Sequence, residues 1–420
     1  MNIVMMTNTY LPLVGGVAQS VHRFTTSLRS RGHNVLVVAP TFDGAPETEQ
    51  DVVRVPAVQN FNGSDFSVIL PLPLNLTTTM EDFDPDLFHS HHPFLLGDSA
   101  LRKAAARQAP IVFTHHTMYE EYVHYVPLEA GTLREFVKEL STGYANLCDH
   151  VIAPSESIKD ILLERGVTTP ISVVPTGVDI KAFSEGDRGG FRQAHNIPEK
   201  AFVIGHVGRL APEKNLEFVA EAAAKFLAEH RGAWLVVVGG GPSQEPMEKI
   251  LNETGVGGRV VFAGKLVGQQ LVDAYHAFDV FAFGSKSETQ GMVLVEAMTA
   301  GTPVVGLEAP GVREVVRDKC NGRLIREEEV DAFVEGLRWV ASFEGEERRQ
   351  LRDGVLATAQ EFSMNASAAK IERVYEQTVQ EYQRRAALEF SDWKVLLGRI
   401  EREWDLWANR FAAARAAYTE

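Results

Sequence analysis

Short β-branched runs alternate with helix-length amphipathic segments along most of the chain. The runs read NIVMMTNT, HNVLVVAP, DLFHSH, PIVFTHH and HVIAPS, then AFVIGHVG, AWLVVVGG, RVVFAG, DVFAFGS and TPVVGL. Hydrophobic strands separated by helices predict parallel sheets covered on both faces, because parallel neighbours need crossover connections. The rhythm breaks between Pro175 and Lys200, where TGVDIKAFSEGDRGGFRQAHNIPEK carries glycine, proline and charge but little periodicity. Two Rossmann-like halves are therefore expected on either side of this stretch. They would face each other across a cleft, each offering it the carboxyl ends of its strands, where open α/β sheets bind ligands.

After Glu381 the pattern changes. Apolar residues fall at Trp393, Leu397, Ile400, Trp404, Trp407, Phe411, Ala414 and Tyr418, a heptad stripe with Ser391 as a candidate cap. Tryptophan and tyrosine suit a half-wet boundary, so peripheral contact with a membrane is one reading. The tail sets Asp392, Glu401, Glu403, Asp405 and Glu420 against Lys394, Arg399, Arg402, Arg410 and Arg415. That balance favours packing against protein, either a second subunit in a homo-oligomer or the chain's own N-terminal domain.

At 420 residues the chain suits two domains, and its 45% hydrophobic and 23% charged residues are those of a globular protein. No apolar run approaches the roughly 18 residues of a membrane span, and the N-terminus leads straight into a strand pattern; a cytoplasmic protein is expected. Cys148 and Cys320 fall in separate halves without metal-like spacing, which predicts buried free thiols. The net charge of -15 repels phosphate backbones, excluding nucleic acid as the expected partner, and weakens attachment to anionic lipid.

Chemistry concentrates at the strand ends. Gly15 and Gly16 follow the first strand and open a helix, a turn that lets backbone amides approach a phosphate or simply connects strand to helix. No GxGxxG fingerprint accompanies them. In the second half, HVGRLAPEKNLE places Arg209 just past a strand and Lys214 at the start of a helix, two cations suited to a diphosphate. In SETQGMVLVEAMTAGTPVV, Glu288 lies in a loop after a strand and Glu296 in the following helix, so both carboxylates can accept from vicinal hydroxyls of a ligand at that edge.

These motifs resemble the retaining GT-B glycosyltransferases, the large family that includes sucrose-phosphate synthases, phosphatidylinositol mannosyltransferases and bacterial diacylglycerol glucosyltransferases. The likeness covers roughly residues 1 to 385 and rests on the GGV turn, GRLAPEKN, the E-x7-E spacing of Glu288 and Glu296, and EAMTAGTPVV. It implies an N-terminal acceptor-side domain over 1–175, a linker over 176–200 and a nucleotide-sugar-binding domain over 201–365. A helix over 366–385 would cross back to the first domain, with the helical tail over 386–420. It also implies that Glu296 holds the donor ribose, that Glu288 with the amides of Gly291, Met292 and Val293 holds the transferred sugar, and that Arg209 and Lys214 neutralise the diphosphate. Leu266 would meet the base through its backbone. Where many relatives read E-G-F-G, this chain has Glu288, Thr289, Gln290 and Gly291, the form of the diacylglycerol glucosyltransferase branch.

His89, His91, His92, His115 and His116 crowd two strand ends, but alternate residues of a strand point to opposite faces and no carboxylate completes a metal site. Asp84 and Asp86 form a D-x-D that precedes a strand and reads as a turn. The family places a histidine like His116 beside the transferred sugar. Tyr119, Tyr122 and Tyr125 are candidates to line the acceptor site. The expected activity is transfer of a hexose, glucose first, from a nucleoside diphosphate sugar, UDP first, to diacylglycerol or a related lipid, without metal or other cofactor. A soluble sugar or polyol acceptor, a non-catalytic nucleotide-sugar-binding protein and a GT-B epimerase are the alternatives.

Overall fold

The computed structural model describes residues 1–13, 15–46, 49–58, 68–69, 83–121, 130–286, 288–389 and 392–419. The chain forms two compact units, unit 1 from Met1–Gly177 and Met364–Glu420, unit 2 from Val178–Ser363.

Unit 1 contains strands β1 (Asn2–Met6), β2 (Asn34–Pro40), β3 (Val52–Val55), β4 (Ala57–Val58), β5 (Val68–Ile69), β6 (Leu87–Ser90), β7 (Ile111–Thr114), β8 (His150–Ala153) and β9 (Ile171–Val173). Seven of them make one parallel sheet in the order β3-β2-β1-β6-β7-β8-β9, while β4 and β5 pair separately. Side chains of β1, β6 and β7 are buried on both faces, which suits the apolar runs of β1 and β7; in β6 the buried His89 and Ser90 are satisfied by hydrogen bonds. One face packs on helix Leu96–Arg107 through Leu96, Ala100, Leu101 and Ala104. The other receives Val21, Phe24 and Leu28 of helix Gly16–Ser30 together with Ile371, Val374 and Tyr375 of helix Met364–Glu389. The helix that crosses back is thus part of the core of unit 1.

Unit 2 holds β10 (Phe202–Val207), β11 (Ala233–Val238), β12 (Val260–Gly264), β13 (Val280–Phe283), β14 (Val304–Leu307) and β15 (Gly322–Ile325) in the parallel order β12-β11-β10-β13-β14-β15. Strand order reverses direction between β10 and β13, as it does between β1 and β6 in unit 1. Such reversals are where loops part and ligands enter.

Of the expected linker over 176–200, residues 178–200 belong to unit 2. Asp179 and Asp187 cap helices Ile180–Ser184 and Arg188–Ala194, accepting from Ala182 N at 3.1 Å and Gly190 N at 2.8 Å. Arg192 is buried and donates to Asp279 at 2.8 Å and to the carbonyls of Ala201 and Ala277 at 2.9 and 2.6 Å. The buried Asp279 also accepts from Val203 N and from Arg188 and Arg348. Burial alone would raise its carboxyl; the arginines and the amide outweigh that and hold it below the usual carboxylate range. A charge network whose halves lie some eighty residues apart leaves no periodicity to read in the sequence.

The tail corrects a second expectation. Helix Asp392–Thr419 packs on unit 1, but Trp404, Trp407 and Phe411 of the heptad stripe are not on its buried face. Leu406 and Ala413 turn inward, whereas Trp404, Trp407 and Phe411 are 74%, 53% and 69% exposed. Polar contacts set this rotation: Arg402 donates to Leu147 O at 2.6 Å, Asn409 Nδ2 to Leu140 O at 3.1 Å, and Glu403 and Arg410 pair with Arg102 and Asp98. Asn409 lies so close to Gly143 that any Cβ there would fall 1.9 Å from its Oδ1. Ser391 lies outside the described residues. Cys148 is buried as expected, but Cys320 is exposed.

Candidate active site

Unit 2 brings the donor candidates to one sheet edge. Arg209 and Lys214 follow β10, Glu288 follows β13, and Leu266 follows β12, so all four sit at the carboxyl edge of one sheet. Lys214 Nζ lies 3.0 Å from Glu288 Oε2, and the same carboxylate accepts from Gly291 N at 3.1 Å. Gly291 has φ +76° as the cap of helix Met292–Thr299, a conformation that favours glycine and aims its amide back at Glu288. Burial would raise the Glu288 carboxyl; Lys214 and the amides of Gly291 and Gln290 prevail, and it stays ionised below the usual range. Met292 and Val293 begin that helix, where first-turn amides point out of the helix end.

Glu296 is buried one turn further along, accepting from Tyr275 OH at 2.9 Å. Thr302 in turn donates to Tyr275 O at 3.1 Å. Arg209 is about half exposed and pairs with Glu213. Leu266 is partly buried against the core.

Two supports escaped the sequence reading. Tyr275 is one; nothing in VDAYHAFD marks it as the partner of a glutamate in a later helix. The other is the Gly239–Gly241 turn after β11. A Cβ at Gly239 would fall 1.8 Å from Gly208 O, and one at Gly241 2.3 Å from Leu210 O. The turn therefore clasps the backbone on both sides of Arg209, with Leu210 N donating to Gly240 O at 3.1 Å. The run VVVGGGPS at a strand end was the available signal.

In unit 1, Gly15 caps helix Gly16–Ser30 in extended conformation with no side-chain hydrogen bond, at the carboxyl end of β1. The histidines follow β6 and β7 or lie within β6. Asn8 N donates to His92 Nδ1 at 3.1 Å, which fixes the proton of His92 on Nε2. His89 bridges Tyr375 OH at 2.6 Å and Thr114 Oγ1 at 2.7 Å. His91 Nδ1 and His116 Nε2 are 2.9 Å apart. Burial depresses both rings, His116 to about 3, so each is neutral and one proton lies between them. His91 Nε2 has no hydrogen-bond partner among the described residues. A buried lone pair is tolerated better than a buried N–H, which puts the shared proton on His91 Nδ1 and leaves His116 protonated on its own Nδ1.

Tyr119 lies beside this cluster, its ring edge-on to Phe94 and His115 and its hydroxyl without a hydrogen-bond partner among the described residues. Tyr122 and Tyr125 lie outside the described residues. Asp84 and Asp86 bind the amino end of β1: Asn2 N donates to Asp86 at 2.7 Å and Asn2 Nδ2 to Asp84 O at 2.8 Å. Among the described residues, no three histidine, cysteine or acidic side chains gather as a metal would need, and no helix is long and apolar enough to cross a membrane.

Comparison with known proteins gives the family. The model of glycosyltransferase family 4 matches residues 14–182, and that of glycosyl transferases group 1 matches residues 187–358. The alpha-monoglucosyldiacylglycerol synthase of Streptococcus pneumoniae is 30% identical over 334 residues, covering 77% of this chain and 75% of the relative. The chain belongs to the GT-B glycosyltransferases. The GDP-mannose-dependent alpha-mannosyltransferase of Corynebacterium glutamicum is 29% identical, covering 77% of this chain and 76% of that one. The crystal structure of Anabaena HepE in complex with UDP matches with a TM-score of 0.72 at 21% identity, covering 90% of this chain and all of the other. The glycosyltransferase fold is thus the expected one, two Rossmann-like units with a C-terminal helical extension.

Proposed function

We propose that this glycosyltransferase moves glucose from UDP-glucose to diacylglycerol or a related lipid, with retention of the α configuration. The observation that carries the reading is the Lys214–Glu288–Gly291 constellation beside Arg209 and the buried Glu296. It offers two cations for a diphosphate and two carboxylates for hydroxyls within one unit. The relative from Streptococcus pneumoniae, named for glucosyl transfer to diacylglycerol, supports the sugar and the acceptor. In this reading Glu296 holds the ribose, Glu288 and the amides of Gly291, Met292 and Val293 hold glucose, and Leu266 meets the base. Gly15 and Gly16 approach a phosphate. The acceptor hydroxyl attacks the anomeric carbon from the face the diphosphate leaves, and the departing diphosphate takes its proton. Arg209 and Lys214 stabilise the charge that develops on the leaving group. His116, neutral and protonated on Nδ1, donates to a sugar hydroxyl, and Tyr119 lines the acceptor site.

The mannosyltransferase relative of equal coverage supports a second donor, GDP-mannose. The purified protein, given labelled UDP-glucose, UDP-galactose or GDP-mannose with and without a total lipid extract, should move label into organic solvent from UDP-glucose only when lipid is present. Label from GDP-mannose, or in a water-soluble product, would overturn the assignment of donor or acceptor.

Activity should persist in excess EDTA, because two cations and a helix N-terminus already face the diphosphate. Loss on chelation, restored by manganese, would show that the charge balance is wrong.

Tyr275→Phe should weaken donor binding. It removes one hydrogen bond from the buried Glu296 carboxylate, and a hydrogen bond to a charged group is worth about 1.5 to 3 kcal/mol. The KM for the nucleotide sugar should rise roughly ten-fold or more with kcat little changed, since the ribose is held alike in ground and transition states. A fall in kcat at constant KM would remove Glu296 from the ribose.

A further inference from the structure

The face of the tail helix that unit 1 leaves uncovered is the more apolar one. Five large hydrophobic side chains are exposed among the described residues, and three of them, Trp404, Trp407 and Phe411, lie on this single stripe. The helix cannot turn to bury them, because Leu406, Ala413, Arg402, Asn409 and the Glu403 and Arg410 ion pairs fix its other side. Covering the stripe requires another body.

We propose that two copies of this chain pair through this stripe, tail helix against tail helix, about a two-fold axis. The spacing decides the kind of partner. Steps of four and three repeated from Trp393 to Tyr418 follow the 3.5-residue period by which one helix tracks another. The result is a narrow seam, whereas a helix lying in a lipid surface presents a broader apolar face bordered by lysine and arginine. The flanks argue the same way. Helix Asp392–Thr419 carries five basic and four acidic residues within a chain of net charge -15, so an anionic bilayer gains little from it while a near-neutral helix is not repelled.

Area is sufficient. With 150 to 250 Å² per aromatic side chain, the exposed parts of Trp404, Trp407 and Phe411 amount to roughly 400 Å² per copy. That is about half of the ~800 Å² each partner contributes to a stable interface. The remainder falls to the rest of a helix roughly 40 Å long. Beside Phe411, Ala412 and Ala416 leave a shallow groove with Arg415. The midpoint of the stripe lies between Trp404 and Trp407. An antiparallel pair, which also opposes the two helix dipoles, therefore sets Trp404 of each copy against Trp407 of the other.

Light scattering on the full-length protein across a hundred-fold concentration range tests this, with the double variant Trp404→Glu, Phe411→Glu beside it and a milder Trp404→Ser, Phe411→Ser as a second. The wild type should show twice the chain mass, and both variants the monomer mass with an unchanged circular dichroism spectrum. A monomeric wild type at every concentration, or a dimer that survives both substitutions, overturns the proposal. So does a monomeric wild type that sediments with phosphatidylcholine vesicles while the variants do not, which would assign the stripe to lipid.

Discussion

Lys214→Ala should lower turnover about a hundred- to a thousand-fold while unit 2 keeps its fold. Two effects add. A charge-assisted contact to the leaving diphosphate strengthens as the bond breaks, and removing one such donor costs about 2.7 to 4 kcal/mol in the transition state. The structure supplies the second: Lys214 is also the counter-ion that keeps Glu288 ionised against its burial. Without it the carboxyl pKa should rise, because the amides of Gly291 and Gln290 remain but the full positive charge is gone. The acidic limb of the rate profile, low in the wild type, should therefore move toward neutrality in Lys214→Ala. The sign follows from linkage. Wild-type Glu288 has a depressed folded pKa, so the pair is intact above the ordinary carboxylate range and is lost only as pH falls through the folded value. Initial rates between pH 4 and 8 for both proteins, with circular dichroism to verify folding, check both parts. Near-normal turnover in the variant removes Lys214 from the leaving group, and an unshifted acidic limb would mean Glu288 does not depend on it.

The two sheets and the strand ends that carry Arg209, Lys214, Glu288 and Glu296 were legible because they follow from local signals. Buried parallel strands are apolar throughout, and the residue after a strand sits at its carboxyl edge whatever the tertiary detail. What the sequence hid depends on pairs far apart in the chain. Asp279 gathers Arg188, Arg192 and Arg348 from two helices, and that network ties the supposed linker into unit 2. Tyr275 finds Glu296 across a strand and a loop. The tail shows the same limit in another form. Its period predicted one apolar stripe correctly, but the side that packs on unit 1 was chosen by polar contacts and by Gly143, which hydrophobic periodicity cannot see.

Acidification should destabilise unit 1 well before carboxylates protonate. His89, His91, His92, His115 and His116 are all pushed down by burial, His92, His115 and His116 to about 3, and Arg165 near His115 and the neighbouring rings add to the effect. An unfolded histidine takes up its proton near pH 6.5, whereas these do not until far lower. The unfolded state therefore binds more protons across that window, and stability, full above pH 6.5, falls as pH drops. For a ring held at about 3 the loss at pH 5 is about 2 kcal/mol, so His92 and His115 alone would remove about 4 kcal/mol. That is a large share of the 5 to 15 kcal/mol that domains possess. Thermal unfolding at pH 7, 6 and 5 measures it, and His115 offers the control. Both its ring nitrogens lack hydrogen-bond partners among the described residues, and its neighbours include Phe113 and Tyr119. His115→Phe should accordingly flatten the fall in melting temperature with pH by the contribution of one proton, whatever it does to the value at pH 7. An equally steep fall in the variant would show that His115 is already protonated in the folded protein, and a flat wild-type profile would show the same for the whole cluster.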